Sequence, residues 1–257
     1  MSPAMTSSSA LRIQIEHALE RRFPSALTPV PRTIRETATT GIAAVDALLD
    51  GGLPVGAISE VMGQKSSGRT SLALSFLAHR TLEGQVAAWV DAGDAFDPES
   101  AAANGVSLRQ LLWVRCRSAS AAAKSRPWTR LDQAIRSTDL LLQAGGFAAI
   151  VLDIGDTAPE HASRIPLATW FRFRQAADRA RCCLVVLGER AYAQSSAALV
   201  VECVPRQGMT AGETVLTGFS FEVRRERQRQ LSNVQGIRKP PASMWSATCR
   251  WAQEERA

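Results

Sequence analysis

The stretch Gly63-Gln-Lys-Ser-Ser-Gly-Arg-Thr-Ser71 lies between an apolar run, residues 57–62, and a segment of helix-forming composition, residues 71–80. It fits the phosphate-binding pattern G-x-x-x-x-G-K-[ST], except that Arg69 replaces the lysine. In this pattern the glycines let main-chain N–H groups surround a phosphate, the lysine neutralises its charge and the hydroxyl group binds magnesium. Taken alone, the stretch fits a simple glycine-serine turn before a helix equally well. The order of strand, loop and helix predicts a phosphate-loop fold, while the arginine leaves ATP binding open.

Strand and helix patterns alternate outward from this loop. Apolar runs end at residues 62, 91, 116, 153 and 187, and helical patterns cover residues 40–49, 71–80, 98–103, 128–144 and 166–181. This alternation predicts an α/β fold with a mostly parallel sheet, helices on both faces and ligands at the carboxyl ends of the strands. Residues 197–204 and 214–223 are predicted to form an antiparallel β-hairpin at the C-terminal edge. Pro240 and Pro241 argue against regular structure beyond it.

The composition limits the class of protein. The 257 residues suffice for one α/β domain with terminal extensions, and 46% apolar with 21% charged residues is typical of globular proteins. The chain has no run of about 18 apolar residues, and its serine-rich start lacks the order of a secretory signal. We therefore expect a cytoplasmic protein without a membrane segment. The net charge of +6 permits a nucleic acid or an acidic protein as a partner.

The five cysteines form no C-x-x-C pair and have no histidine at the spacing of metal ligands. Their odd number argues against a framework made of disulfides alone. We therefore expect reduced thiols in the core and no structural metal site.

A second signal of a phosphate site lies in residues 147–153, an apolar strand that ends in a carboxylate. Many parallel strands end in Asp only to cap the next element. Downstream of a phosphate loop, however, such a strand is typical of the Walker B element, whose Asp reaches the water shell of magnesium. We therefore predict that Thr70 and Asp153 hold Mg²⁺ if ATP binds. The candidate nucleotide-binding residues of the loop are Gly63, Ser67, Gly68, Arg69, Thr70 and Ser71.

The termini are predicted to lie outside the core. Residues 11–23 have the spacing of a short amphipathic helix, and two prolines keep residues 28–34 extended. This helix and arm pack either on their own domain or on a neighbour. We divide the chain into a docking segment (residues 1–36), a core domain (37–223) and a basic, tryptophan-containing tail (224–257).

Several motifs together resemble the RecA family over residues 11–225. They are Thr40-Gly-Ile-Ala-Ala-Val-Asp46, Gly51-Gly-Leu-Pro-Val-Gly56, residues 60–71, Asp91-Ala-Gly-Asp-Ala-Phe-Asp-Pro98 with Gly105-Val106, and the strand that ends at Asp153. The resemblance implies a RecA-like core with a nucleotide pocket. Residues 11–34 correspond in order to the recombinase segment that docks on the adjacent subunit. The resemblance therefore implies that they contact a RecA protomer or a second copy of this chain.

A closer resemblance is to ImuA, a RecA-like accessory protein of the bacterial SOS response. It rests on residues 91–98, Leu112-Trp-Val-Arg-Cys116, Asp139-Leu-Leu-Leu-Gln-Ala-Gly-Gly146 and Ile165-Pro-Leu-Ala-Thr-Trp-Phe171. The resemblance implies a cytoplasmic, nucleoid-associated role in the DNA damage response, in which translesion synthesis causes mutagenesis. It implies as partners an ImuB-like Y-family polymerase homologue, RecA and an error-prone polymerase of the replicative type.

Several positions depart from an active recombinase. Arg69 replaces the lysine that contacts phosphate, Gly93 replaces the glutamate that orients the attacking water, and Glu189 replaces part of the phosphate sensor. Ser100, three residues after Asp97 in the same pocket, stands where the family stacks an aromatic ring on adenine. Positioning and electrostatics supply nearly all of phosphoryl-transfer catalysis. We therefore predict that hydrolysis is lost, that no cofactor is required and that ATP with Mg²⁺ binds at most weakly.

Candidate contacts to DNA or to a partner lie near the C terminus. Residues 155–165 and 190–196 form shorter loops than those that a recombinase inserts into DNA, so we expect weak or indirect DNA binding. The tail alternates arginine with glutamate and glutamine before two tryptophans. This pattern is compatible with phosphate contacts and base stacking, with interface anchors, or with a final strand of the domain. The candidate residues are Arg190, Arg224, Arg225, Arg227, Arg229, Trp245 and Trp251.

Three functions are compatible with these features. The leading hypothesis is a non-catalytic RecA-like adaptor in translesion synthesis. The alternatives are a DNA-dependent ATPase of the recombinase type and a cell-division inhibitor of the SulA type.

Overall fold

The computed structural model describes residues 36–116, 127–211, 215–228 and 242–248. The chain divides into two units, Met1–Ile34 and Arg35–Ala257, and every described residue belongs to the second. The predicted N-terminal helix and arm, Arg229 and Trp251 lie outside the described residues.

Strands and helices alternate along the described chain. The strands are β1 (Thr37–Ala38), β2 (Leu53–Pro54), β3 (Ile58–Met62), β4 (Ala87–Asp91), β5 (Leu111–Arg115), β6 (Ala149–Asp153), β7 (Cys183–Gly188), β8 (Ala197–Ala211), β9 (Val215–Gln228) and β10 (Ala242–Thr248). The helices are α1 (Ala43–Leu48), α2 (Arg69–Leu82), α3 (Pro98–Ala103), α4 (Pro127–Ala144), α5 (Pro159–Ala162) and α6 (Leu167–Ala180).

Strands β3 to β10 form one sheet in the order β10-β9-β8-β3-β7-β6-β4-β5, while β1 and β2 pair with each other. The pairings from β8 across to β5 are parallel, whereas β9 pairs antiparallel with both β8 and β10. The predicted α/β fold with a mostly parallel sheet is therefore confirmed. The register places Met62 beside Gly188 and Asp91 beside Asp153, so the loops after these strands meet at one edge.

Helices cover both faces of the parallel part of the sheet. Every residue of β4 and β7 is buried, because a parallel sheet between two helical layers has no solvent-facing side. On one face, Trp89 belongs to the same core cluster as Phe76 of α2. On the other, Ile150 belongs to a cluster with Trp170 and Phe173 of α6. This rigid core fixes the positions of the loops at the strand ends.

The C-terminal edge is larger than predicted. The hairpin of β8 and β9 is present, but both strands are longer than expected, and β10 adds a third strand outside it. The boundary predicted at residue 223 falls inside β9, and the segment after Pro240 and Pro241 continues as β10. Trp245 explains the difference, because this buried residue of β10 packs 4.8 Å from the ring of Phe221 on β9. Burying an aromatic side chain contributes about 2 kcal/mol, which favours the strand over a free tail.

Four described cysteines, Cys116, Cys182, Cys183 and Cys203, are free and buried in the core, as the sequence predicted for them. Within the described ranges, no group of three His, Cys, Asp or Glu side chains is placed to hold a metal ion. No helix of the described part is long and apolar enough to cross a membrane.

Candidate functional site

The loop between β3 and α2 has the backbone shape of a phosphate-binding turn. Gly68 precedes the 14-residue helix α2 in a left-handed conformation, with φ of 88°. A Cβ atom at this position would lie 2.7 Å from the ring of Phe221, so the backbone angle and the space both require glycine. The first N–H groups of α2 have no partner within the helix and form the positive end of its dipole. The sequence therefore builds an anion-binding turn at this edge of the sheet.

A cavity of about 520 Å³ lies against this turn. Residues 65–71 form one side of it. The remaining lining residues are Leu74, Trp89, Ala95, Phe96, Asp97, Ser100, Asp153, Asp156, Phe219 and Phe221. The structure thus brings together most of the predicted nucleotide-site residues. Gly63, Gly93 and Glu189 do not line the cavity.

Arg69 is buried beneath the loop and bonded to the main chain. Its guanidinium donates one hydrogen bond to the carbonyl oxygen of Gly63 and another, 3.1 Å long, to the carbonyl oxygen of Gly155. A Cβ atom on Gly155 would lie 2.3 Å from Nη2 of Arg69, so a larger residue at position 155 would displace the guanidinium from this position. The side chain therefore ties the loop after β3 to the loop after β6. Leaving a buried carbonyl unpaired costs about 1 to 3 kcal/mol. Moving Arg69 from these carbonyls onto a phosphate is therefore unfavourable unless other donors replace it.

Asp91, at the end of β4, shapes the backbone beside the cavity. This buried carboxylate accepts hydrogen bonds from the main-chain N–H groups of Ala95, at 3.0 Å, and Phe96, at 2.9 Å. It also accepts one from the indole of Trp113 at 3.3 Å. Asp91 therefore has a structural role in the turn that leads to α3.

Asp153 is the carboxylate that the sequence assigned to magnesium. It accepts a 2.9 Å hydrogen bond from the N–H of Gly155. Although the residue keeps some exposed surface, its carboxyl group is enclosed, and burial raises its pKa to about 6. Gly155 and Arg69 act against burial by lowering the pKa, whereas the nearby carboxylates of Asp91 and Asp156 raise it. Asp153 thus lies in an acidic part of the site that a bound cation would stabilise.

Asp156 lies in the space next to Gly93, where the recombinase glutamate is absent. A Cβ atom built on Gly93 would lie 3.1 Å from Cβ of Asp156 and 3.2 Å from its Oδ2. Asp156 forms an ion pair with Lys65 of the loop, with Nζ 3.1 Å from Oδ1. Both side chains are solvent-accessible and both line the cavity. The cavity therefore contains a lysine and a carboxylate at positions other than those of the family pattern.

Asp94, the carboxylate next to Gly93 in sequence, does not take the place of the missing glutamate. It pairs with Arg115 of β5, whose Nε lies 2.7 Å from its Oδ1. Asp94 is also absent from the residues that line the cavity. Its shift by one residue from Gly93 directs the side chain towards β5.

The wall that was expected to hold adenine is polar on one side and aromatic on the other. Asp97 caps α3 by accepting hydrogen bonds from the N–H groups of Glu99 and Ser100, and the Ser100 hydroxyl donates to it as well. This hydroxyl contact is the main reason why the pKa of Asp97 is lowered. Phe219 and Phe221 of β9 line the same cavity. The C-terminal hairpin therefore contributes two aromatic side chains to the lining of the cavity.

Three of the arginines predicted to contact DNA or a partner lie on β9 and are bonded within the protein. Arg224 pairs with Glu222 at 2.9 Å, and Arg225 pairs with Asp50 at 3.0 Å. Arg227 donates to a main-chain carbonyl, that of Gln194. Of the three alternatives left open for the tail, residues 224–228 match a strand of the domain, because pairing in the sheet places their charges beside acceptors of the core. Arg190 is exposed, whereas Trp245 is buried and offers no base-stacking face.

Four residues that line the cavity were not predicted from the sequence: Lys65, Asp156, Phe219 and Phe221. Two local signals existed, since Lys65 lies inside the loop motif and Asp156 follows Asp153 by three residues. The two phenylalanines carried no local signal, because only the long-range pairing of β8 with β9 brings them to the cavity.

The residues present fit a phosphate group better than they fit a hydrolytic centre. The turn at Gly68 and the first N–H groups of α2 suit an anion, and the exposed Thr70 with Asp153 suits a magnesium ion. Against hydrolysis, Arg69 is bonded to main-chain carbonyls and Gly93 carries no carboxylate. The site can therefore hold a phosphate without the groups that the recombinase uses to transfer it.

Comparison with known proteins places this geometry in a family. The family model described as the RecA N-terminal domain matches residues 9–159, more than half of the chain. The chain is 35% identical to the protein RecA of Nostoc sp. over 140 residues, 54% of this chain and 36% of that protein. It is 31% identical to RecA of Synechocystis sp. over 188 residues, 70% of this chain and 52% of that protein. The chain thus spans about a third to a half of the length of these relatives.

Proposed function

The chain belongs to the RecA family, and from this premise we propose that it is a non-catalytic adaptor in bacterial damage-induced mutagenesis. Its RecA-like core serves as a scaffold for partner proteins during translesion synthesis. The partners, suggested by the resemblance to ImuA, are an ImuB-like Y-family polymerase homologue, RecA and an error-prone polymerase of the replicative type.

The observation that carries this proposal is the position of Arg69. The residue that should neutralise the terminal phosphate is bonded instead to the carbonyl oxygens of Gly63 and Gly155. Using Arg69 to bind phosphate would require both buried hydrogen bonds to be replaced. The phosphate loop in this protein therefore stabilises the fold, which is what a scaffold without ATP turnover requires.

A second observation supports the loss of hydrolysis. Gly93 has no group to orient an attacking water, and Asp94 is bonded to Arg115. Because phosphoryl transfer depends on positioning and electrostatic stabilisation, the loss of two such groups removes most of the rate enhancement. No cofactor is then needed for the adaptor role, although ATP with Mg²⁺ can bind weakly.

The edge of the sheet at β5 supports a docking role. Among the described strands, only β4 pairs with β5, so no described strand occupies the other edge of β5, where a strand could be added. Leu108, just before β5, and Leu112 within it are both exposed, at 44% and 43%. We propose that the arm predicted from residues 28–34 of a second copy, or the equivalent arm of RecA, docks on this edge by β-strand addition.

Direct DNA binding is a minor part of the proposal. Arg224, Arg225 and Arg227 are engaged within the protein, which leaves fewer cations for phosphate contacts. We expect DNA association that is weak or indirect, through the partners, in a cytoplasmic protein associated with the nucleoid.

The adaptor proposal is tested by a pull-down with the full chain and with a variant lacking residues 1–34, the first unit of the chain. We expect the full chain to retain the ImuB-like partner, RecA or the error-prone polymerase, and the deletion to lose at least one of them or self-association. A matched variant, Leu112→Asp, should weaken the same interaction by placing a charge on the β5 edge, while Leu140→Asp, an exposed leucine of α4, serves as the control. Retention of none of the three partners by the full chain would contradict the proposal.

A DNA-dependent ATPase of the recombinase type is a second candidate, favoured by one observation. Lys65 and Asp156 both line the cavity, and Asp156 lies beside the position of the missing glutamate. In this alternative, Asp156 would orient the attacking water. Phosphate release stimulated by single-stranded DNA and abolished by Asp156→Ala would establish it; no release above background would exclude it.

A further inference from the structure

The ion pair between Lys65 and Asp156 lies at the cavity, beside the loop between β3 and α2. Lys65 belongs to the loop between β3 and α2, and Asp156 to the loop after β6. Their charged atoms are 3.1 Å apart, and the two side chains are 73% and 41% exposed. An ion pair with this exposure contributes at most about 1 kcal/mol. Either partner can therefore be drawn away by a stronger ligand at little cost.

Lys65 and Arg69 differ in their freedom to meet such a ligand. Arg69 is 8% exposed and donates to two main-chain carbonyls. Lys65 has a long, exposed side chain, and within the described part of the chain its ion pair is the one with Asp156. Lysine is also a compact cation with three donors, the form of charge that phosphate loops place on a terminal phosphate. Of these two cations, Lys65 is the one that can move onto an anion in the cavity.

A buried hydroxyl provides an independent indication of a ligand. Ser67 is 1% exposed, lines the cavity, and its Oγ has no hydrogen-bond partner within the described residues. A buried hydroxyl without a partner is costly, by about 1 to 3 kcal/mol, unless a ligand or a water satisfies it. An oxyanion held by the first N–H groups of α2 would lie at this loop and accept such a bond.

We propose that Lys65 binds the terminal phosphates of a nucleotide in this cavity in place of Arg69, and that Asp156 holds Lys65 when no nucleotide is bound. Nucleotide binding then exchanges a weak ion pair for a lysine–phosphate contact, and the released Asp156 remains as a negative charge that limits affinity. The exchange involves no bond-breaking step. It does not rest on the adaptor proposal, because a partner can dock whether or not the cavity binds nucleotide.

The test is isothermal titration of the full chain with ATP and Mg²⁺, and separately with inorganic tripolyphosphate. Lys65→Met should lower the affinity for both ligands at least about tenfold, since it removes the phosphate-binding charge. Asp156→Asn should raise the affinity for both ligands by about three- to tenfold, because it frees Lys65 and removes the opposing charge. The gain from Asp156→Asn should shrink in the Lys65→Met background, since the two residues act through one contact.

Two controls distinguish the outcomes. Arg109→Ala removes another exposed positive charge, just before β5 and outside the cavity, and should leave both affinities unchanged. Because Lys65 is exposed, Lys65→Met should leave the thermal midpoint of the ligand-free chain unchanged, which separates lost binding from lost folding. Wild-type affinity in Lys65→Met, or no binding of either ligand by the wild-type chain at millimolar concentration, would overturn the proposal. Neither result depends on the pull-down that tests the adaptor role.

Discussion

The two sides of the candidate site, one on the loop and one at the strand ends, keep different parts of a nucleotide site. The loop side, residues 63–71, keeps the backbone shape, with left-handed Gly68 at the start of α2. The strand-end side, residues 93 and 153–156, keeps Asp153 but has glycine at 93 and an additional carboxylate at 156. Arg69 joins the two sides through the carbonyl oxygens of Gly63 and Gly155. We therefore propose that the phosphate-loop backbone serves stability in this protein, and not hydrolysis.

The largest expected effect tests the loop side. Gly68→Val places a branched side chain at φ of 88° and against the ring of Phe221. We expect the free energy of unfolding in urea to fall by about 3 to 4 kcal/mol, from backbone strain and steric overlap together. Gly84→Val is the matched control, because Gly84 has a similar φ of 75° but no atoms within 4 Å of a built Cβ. Equal losses in the two variants would contradict the packing of Phe221 on the loop.

The next effect tests the link between the two sides. Arg69→Met should lower the free energy of unfolding by about 2 to 3 kcal/mol, since it leaves the carbonyl groups of Gly63 and Gly155 without their donor. Arg179→Met, an exposed arginine of α6, should change it by less than about 0.5 kcal/mol. A loss of the same size in both variants would show that Arg69 does not stabilise the fold through these bonds.

The smallest effect tests the strand-end side through pH. Burial raises the pKa of Asp153 to about 6 from an ordinary 3.8. A carboxyl group with a raised pKa in the folded state stabilises the fold most at low pH and loses that contribution as the pH rises through 6. From pH 4 to pH 7 the wild type should therefore lose about 2 kcal/mol of stability relative to Asp153→Asn.

Urea unfolding of both proteins at several pH values measures this difference. Asp97→Asn is the matched control, because it changes an exposed carboxylate whose pKa is lowered. Relative to this variant, the wild type should not lose stability between pH 4 and pH 7. If the free energies of unfolding of the wild type and Asp153→Asn changed in parallel between pH 4 and pH 7, the enclosed position of the Asp153 carboxyl group would be contradicted.

The fold was predictable because its signals are local. Apolar runs that end at Met62, Asp91 and Asp153 match strands that end at those same residues, and the glycines of the loop identify the turn to α2. The C-terminal edge was less predictable, because β10 depends on the contact of Trp245 with Phe221, which the sequence separates by 23 intervening residues. Pro240 and Pro241 also suggested an irregular tail, although they only precede the strand.

The location of the site residues in the sequence was easier to predict than the contacts that these residues make. The sequence predicted that Arg69, Gly93 and Asp153 decide its chemistry, and the structure places Arg69 and Asp153 at the cavity. It could not show that Arg69 bonds to Gly155, because that contact spans 86 residues and depends on the pairing of β3, β7 and β6. For the same reason, the sequence left open whether the arginine-rich segment forms a strand of the domain; its pairing with β8 shows that it does, with Arg225 beside Asp50.

The central claim, that this RecA-like site has kept a phosphate cradle without hydrolysis, is tested most directly by single-turnover phosphate release. An excess of the full chain is mixed with labelled ATP and Mg²⁺, with and without single-stranded DNA, beside Asp153→Ala as a matched background. We expect the wild type and Asp153→Ala to release phosphate at the same rate as the protein-free solution. DNA-stimulated release by the wild type that Asp153→Ala abolishes would contradict the claim.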